Sequence, residues 1–251
     1  MLSQIYRHSL VGLAAVSILG CKCNCGQDQK AAGPTTQPAS VTPSTQTPPA
    51  APPAVGDLKN LGTDWISMFD GQSLGKWKST EFGGEGEVKV KDGAIVMSMG
   101  NAMTGITWTG DYPVVDYEIS LEAQRVTGSD FFCGLTVPVK QSHVTLILGG
   151  WGGSLVGISS IGGYDASENE TTTSRTFENG RWYRVRMRVK DKKLEAWLDD
   201  EQIVDVDTEG KKLGVRFEVE PSRPLGVATY STTGAIRNVR IRRLRWDELD
   251  Q

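Results

Sequence analysis

At 251 residues the chain has room for one large domain or two small ones; 38% of it is hydrophobic and its formal net charge is −3. That near-neutral balance excludes a protein built mainly to hold nucleic acid, which needs a concentrated positive surface. Two His and four Cys, three of the Cys falling between Cys21 and Cys25, exclude a disulfide-framed fold.

Residues 1–20 read as an export signal. Arg7 supplies the positive start and Leu10 to Leu19, "LVGLAAVSIL", the apolar centre. That centre is shorter than the ~20 residues a membrane-spanning helix needs. Ile18-Leu19-Gly20-Cys21 resembles a bacterial lipobox, in which the Cys is acylated (a palmitate-type anchor) and becomes the mature N-terminus. The expected location is therefore extracytoplasmic, held to a membrane by lipid on its periplasmic or outer-membrane side. Cys23 and Cys25 have no downstream His or Cys at a spacing that completes a metal site. Residues 21–56 then form a tether. The part from Ala31 to Gly56 holds seven of the eleven prolines and no charged residue, so it cannot bury a core and favours extended, semi-rigid conformations.

The 195 residues from Asp57 to Gln251 show short strands between turn signals and almost no helical periodicity. Ile119, Leu121 and Ala123 alternate with polar residues, as do Val185, Met187 and Val189. Leu194–Leu198 pairs back after "KDKK", Gln202–Asp207 returns after Asp199-Asp200-Glu201, and Ile236–Leu244 closes the domain. Cys133 sits in an apolar run and reads as a buried thiol. Arg184, Arg186 and Arg188 are assigned to the solvent face of one strand, with Glu118 and Glu122 at matching spacing on another; cross-strand pairing accounts for both. "LILGGWGGSLVG", Leu146–Gly157, has glycines after an apolar run. A phosphate-binding loop needs a helix next, whereas Leu155–Ile161 reads as a strand. A hairpin with glycines at positive φ remains, with Trp151 either part of the turn or a stacking platform for a sugar ring.

Met68–Trp77, "MFDGQSLGKW", resembles the opening "LFDG-x-SL-x-x-W" of the DUF1080 family, the 3-keto-disaccharide hydrolase domain. Val90–Ile95, with Asp92-Gly93, resembles its following "v-x-DG-x-l" turn, and Asp116–Ile119, Trp182, Leu194–Leu198 and the closing "IRNVRI" of Ile236–Ile241 resemble its strands, so the likeness spans roughly 65–244. It implies an all-β, two-sheet antiparallel jelly-roll sandwich of the concanavalin or laminin-G type, often exported and linked to glycoside breakdown. The middle departs from the family pattern. Phe132-Cys133-Gly134-Leu135 stands where "NSGI-x-x-R" is common, His143–Ile147 where "Y-E-x-Q-I" is common, and Thr229–Thr233 where a His is common.

Glycoside cleavage commonly uses two carboxylates. Glu168 and Glu170, in the polar loop Gly163–Thr173, would share a face if that loop is extended, and are the candidate acid/base pair. His143 is the third catalytic candidate, able to move protons near neutral pH. Trp151, Tyr164 and Asp165 are the candidate substrate-binding residues. The loop's oxygen donors would also suit Ca²⁺; no other cofactor is implied. The expected partners are a carbohydrate and, through the anchor, a membrane. Two readings follow: a hydrolase of 3-keto-disaccharide-type glycosides, or a non-catalytic carbohydrate-binding or surface-scaffold protein on the same fold.

Overall fold

The computed structural model describes residue 56 and residues 58–249; the leader, Cys21 and nearly all of the tether lie outside the described residues. The strands are β1 (Ile66–Ser67), β2 (Trp77–Ser79), β3 (Val88–Lys91), β4 (Ala94–Met97), β5 (Met103–Trp108), β6 (Tyr117–Gly128), β7 (Cys133–Val139) and β8 (Ser142–Gly150). They continue with β9 (Leu155–Ser159), β10 (Thr173–Ser174), β11 (Trp182–Val189), β12 (Lys193–Leu198), β13 (Glu201–Asp207), β14 (Gly226–Tyr230) and β15 (Thr232–Arg243). A one-turn helix α1 (Trp246–Leu249) follows, and none of the described helices is long and apolar enough to cross a membrane.

Two antiparallel sheets result. One runs β13-β12-β11-β6-β15-β4-β3 with β1 added beside β15; the other runs β10-β9-β8-β7-β14-β5-β2. Period-two alternation sends every second side chain inward. From the eight-stranded sheet come Ile119, Leu121, Ala123, Val185, Met187, Val189 and Ile236. From the seven-stranded sheet come Leu135, Val137, Leu146, Leu148, Val156 and Ile158, and all are buried in one cluster. Each of the Val, Leu, Ile and Met side chains contributes about 1.5–3 kcal/mol by leaving water. The arrangement is the two-sheet jelly-roll sandwich that the alternation and the resemblance imply. Cys133 lies wholly inside it, and burial pushes its thiol up to about 12.

The motifs that carry the family resemblance turn out to be joints of this scaffold. Asp70 accepts the amides of Gln72 and Ser73, both at 2.8 Å, which holds its carboxyl below the ordinary value and shapes the turn at Gly71. Phe69 and Met68 are buried beside it, and Trp77 donates its indole N–H to the Met68 carbonyl at 2.9 Å. Trp77 then packs edge-on against Trp108 with ring centroids 5.1 Å apart. Asp92 and Gly93, both at positive φ, make the two-residue β3–β4 hairpin loop. Asn238, at φ +54°, sits in the irregularity of β15 between Arg237 and Arg240.

One expectation needs correction. The Arg stripe was assigned to a wet face, yet Glu118 is 0% exposed and Arg188 and Arg242 are both 8% exposed. α1 brings Glu248 down onto this part of the sheet, and its carboxylate meets both guanidiniums of Arg242 and Arg188. Three arginines converge on Glu118: Arg186 at 2.8 Å, Arg242 at 2.5 Å and Arg188 at 3.5 Å. Cross-strand pairing is therefore real, but part of it is a buried cluster and not a solvated stripe.

Candidate functional site

The outward face of the seven-stranded sheet is made mostly of small and hydroxyl-bearing residues over its central strands. Register aligns Ser159 (β9), Thr145 (β8), Thr136 (β7) and Gly226 (β14) in one row, and Gly157, Ile147, Gly134, Ala228 and Gly105 in the next. The Thr136 and Thr145 hydroxyls bond each other at 2.9 Å. Ser159 is 1% exposed, and its Oγ has no hydrogen-bond partner among the described residues. Short side chains leave depth over the sheet, and residues 161–172 and the 3₁₀ turn Phe217–Ser222 fold across part of it. At Gly157 this cover comes so close that a Cβ would stand 3.0 Å from the Ala166 carbonyl oxygen.

What stays open is a cleft of about 490 Å³. Thr145, Ile147 and Ser159 form its floor. Phe131 and Tyr230, stacked with centroids 5.9 Å apart, form one wall with Met103, while Trp151, Asp130, Arg216 and Glu218 form the rim.

Trp151 stands at the tip of the β8–β9 hairpin, at φ +48° and 45% exposed. Three glycines around it, Gly149, Gly152 and Gly153, hold positive φ. Leu146–Gly157 is thus a strand–turn–strand element, with no helix to receive a phosphate. Two buried or half-buried side chains brace the tip from below. Arg125, 5% exposed, donates Nη2 to the carbonyls of Gly153 at 2.8 Å and Gly149 at 3.4 Å. Its guanidinium lies over the rings of Phe132 and Phe177, at 5.3 and 5.8 Å. Burial pulls the Arg125 guanidinium below its ordinary value, and the Asp130 charge opposes that. Asp130 accepts the Phe131 amide at 2.7 Å and the Gly152 amide at 3.0 Å, tying the wall to the tip.

Arg216 closes the rim. Its guanidinium carbon is 5.8 Å from the Trp151 ring centroid, and it pairs with Asp165 at 2.6 Å and Glu218 at 2.8 Å. The hydrogen bond from Arg216 holds the Glu218 carboxyl below its ordinary value, and the same bond raises Arg216. Burial by itself would raise Asp165, but bonds from Ser167 and Arg216 win and hold it low. Both carboxylates stay ionised around a fixed cation.

The sequence candidates distribute unevenly about this cleft. Trp151 lines it, and Asp165 reaches it through Arg216. Tyr164 is 59% exposed and lies outside the lining. Residues 165–172 form successive turns instead of an extended run, so the shared face expected for Glu168 and Glu170 is not formed. Glu168 is exposed, and Glu170 is exposed and paired with Lys211. Between them Asn169 points inward and donates to the carbonyls of Ile158 at 2.7 Å and Asp165 at 2.7 Å, which pins the loop to β9. His143 lies on the outward face of β8 opposite Pro138, half-buried and outside the cleft lining. Burial and the nearby Arg223 lower its pKa, keeping the imidazole neutral. For a cation, the loop's oxygens are already engaged: Asp165 with Arg216 and Ser167, Glu170 with Lys211, Asn169 with Thr171. Among the described residues no group of three or more His, Cys, Asp or Glu is placed to hold a metal ion.

Sequence reasoning missed Arg125, Asp130, Phe131, Arg216, Glu218 and Tyr230. The one usable signal was Asp130-Phe131-Phe132, a charge before two aromatics between long strands. The others enter only through the sheet register.

A family profile described as the 3-keto-alpha-glucoside-1,2-lyase-like domain matches residues 64–242. No curated protein matches the chain in sequence. Among solved structures, the Crh5 transglycosylase in complex with NAG is 13% identical, with 77% of this chain and 88% of that chain covered and a TM-score of 0.52. A candidate glycosyl hydrolase from Parabacteroides distasonis ATCC 8503 is 17% identical, with 72% and 94% covered and a TM-score of 0.47. The carbohydrate binding module CBM66 from Bacillus subtilis is 11% identical, with 66% and 95% covered and a TM-score of 0.42. At these identities the likeness to the Crh5 structure is one of fold.

Proposed function

The chain belongs to the 3-keto-alpha-glucoside-1,2-lyase-like family, and on that premise we propose that the cleft over the seven-stranded sheet binds a glycoside of the 3-keto-disaccharide type. The observation that carries this reading is Trp151, nearly half exposed at a braced hairpin tip, facing a cleft with an aromatic wall and a hydroxyl floor. A pyranose ring offers C–H groups to an aromatic face and hydroxyls to polar partners, and a concave site with a few fixed polar groups suits it. Ser159 Oγ, buried at the floor without a partner, supplies one such group.

Recognition is supported better than proton transfer. Asp130 spends its oxygens on two amides, and Glu218 gives both of its oxygens to Arg216. A second reading, cleavage of the glycosidic bond, is favoured by the family match; the cleft carboxylate nearest that role is Glu218, which would have to exchange its contacts with Arg216 to act. The leader and Cys21 support display of the domain outside the cytoplasm on a lipid anchor; retention of acyl label by the wild type and its loss in Cys21→Ser tests that part.

The main test titrates the full chain with 3-keto and ordinary disaccharides by calorimetry and follows product release in parallel. Wild type should bind saturably, and Trp151→Ala should weaken binding by about 0.5–1.5 kcal/mol, the range of a lost aromatic contact. Turnover abolished by Glu218→Gln would establish the cleaving reading, and turnover abolished only by Glu168→Gln/Glu170→Gln would move the chemistry to the loop. Binding untouched by Trp151→Ala would sink the cleft assignment.

A further inference from the structure

The outward face of the eight-stranded sheet carries a regular charge ladder with one rung missing. Register sets β6 between β11 and β15. At one rung Glu118 lies between Arg188 and Arg242, and two rungs along Glu122 lies between Arg184 and Arg237. The rung between them aligns Arg186, Ser120 and Arg240, so two arginines flank a serine where the pattern has a carboxylate. Arg186 resolves its charge sideways, bonding Glu118 at 2.8 Å and stacking on Trp197 at 3.9 Å. Arg240 does not. Among the described residues it makes no ion pair, and its guanidinium rests on the Trp65 ring at 4.7 Å.

A groove of about 300 Å³ opens at that rung, lined by Ser120, Glu122, Arg184, Asn238, Arg240 and Trp65, among others. The register shift of β15, with Asn238 at positive φ, falls beside this groove. The one carboxylate in the lining is already neutralised: Glu122 accepts Arg237 Nε at 2.7 Å and Asn238 Nδ2 at 2.8 Å. Among the described residues the one ion pair of Arg184 is with Asp200, an exposed pair with side chains 63% and 76% accessible that costs little to exchange, and its charge also acts on Glu122 beside it. The groove thus presents an unpaired guanidinium, a second one loosely held, and a serine hydroxyl at its floor.

We propose that this groove binds a small oxyanion, a carboxylate or sulfate group borne by a saccharide, which takes the place of the missing carboxylate beside Ser120. Arg240 is the principal donor, its planar fork suited to two-point contact with such a group, and Arg184 assists. The Trp65 ring, with its centroid 4.7 Å from the Arg240 guanidinium carbon and 5.1 Å from that of Arg242, backs the site. The site is on the sheet opposite the Trp151 cleft, so it stands or falls independently of the glycoside reading.

The test titrates the full chain at low ionic strength with glucuronate, inorganic sulfate and, as control, glucose, monitored by calorimetry. Glucuronate and sulfate should saturate one site and glucose should not compete. Arg240→Gln should weaken both anions roughly ten- to a hundredfold, the worth of a charge-assisted hydrogen bond. Ser120→Glu supplies the missing carboxylate in cis, and should abolish anion binding while the melting temperature holds or rises. Trp151→Ala should leave anion binding unchanged. Glucuronate binding tighter than sulfate supports the saccharide carrier, and equal binding overturns that part of the proposal. The proposal is overturned if neither anion binds saturably, if binding survives Arg240→Gln, or if the chain associates only with vesicles of anionic lipid and with no soluble anion. Should Ser120→Glu fail to fold, Arg240→Gln decides alone.

Discussion

The two outward faces of this sandwich are written in the same period-two alternation and do opposite things with it. On the eight-stranded sheet most outward positions of β6, β11 and β15 are long and charged, and strand register turns them into Arg–Glu–Arg rungs that, apart from the Arg186–Ser120–Arg240 rung, satisfy one another and are then partly roofed by α1. On the seven-stranded sheet most outward positions of the central strands are Gly, Ala, Ser and Thr, with Ile147 and His143 the larger exceptions on β8, and the short ones cannot cover themselves. Loops cover that face incompletely, and the gap is the cleft. Side-chain length, more than polarity, decides which face is closed by its own residues and which is left for a ligand.

Three perturbations sharpen that contrast. The largest effect is expected from Glu118→Gln, which leaves Arg186, Arg188 and Arg242 without their shared carboxylate inside the protein; such a loss costs about 3–5 kcal/mol. Urea denaturation should show it, with Trp151 quenching unchanged because the cleft is on the other sheet. A fall below about 1 kcal/mol would mean that the cluster is solvated after all.

Acid should act on the same charged face. Glu248 is held down to about 2, chiefly by its hydrogen bond to Arg242, against an ordinary value of 4.5. The folded value is the lower one, so between these limits the unfolded chain takes up the extra proton and stability falls as pH falls. The contribution is complete above about pH 5 and on the order of 3 kcal/mol. Melting temperatures measured from pH 6 to 2 should drop across this window, and Glu248→Gln should flatten the drop. An unchanged slope in that variant would assign the acid sensitivity elsewhere.

The smallest stability effect belongs to the cleft side. Arg125→Met keeps the contact with Phe132 and Phe177 but strands the Gly149 and Gly153 carbonyls, a loss of about 1–3 kcal/mol. Its distinguishing mark is local: acrylamide should quench Trp151 more readily, and sugar affinity should fall with it. Equal quenching in wild type and variant would show that the hairpin tip holds itself.

Much of the scaffold is legible in the sequence because each mark acts over a few residues. Alternation in Tyr117–Ala123 and Trp182–Val189 identifies strands and their buried sides, Asp92-Gly93 identifies a hairpin, and the strand after the Gly149–Gly153 glycines removes a phosphate loop. The turn-forming Asp70 and the buried Trp77 carry the family likeness for the same reason: they are local joints with fixed geometry. The site was legible only at Trp151, flanked by its glycines. Glu168 and Glu170 stood out by composition, yet the intervening Asn169 folds their loop into turns and leaves both in water.

By itself the sequence determined an all-β sandwich, its hairpins, its charged stripe and an aromatic set among glycines, since period and turn chemistry are properties of neighbouring residues. Only the tertiary structure decided that Glu118 is buried, that Arg240 faces a serine where a carboxylate is due, and that Trp151 shares a cleft with Tyr230 and Arg216. Those outcomes depend on which strands lie side by side and in what register. Residues separated by dozens of positions, or by more than a hundred for Glu118 and Arg242, become neighbours through hydrogen-bonded pairing that no local pattern encodes.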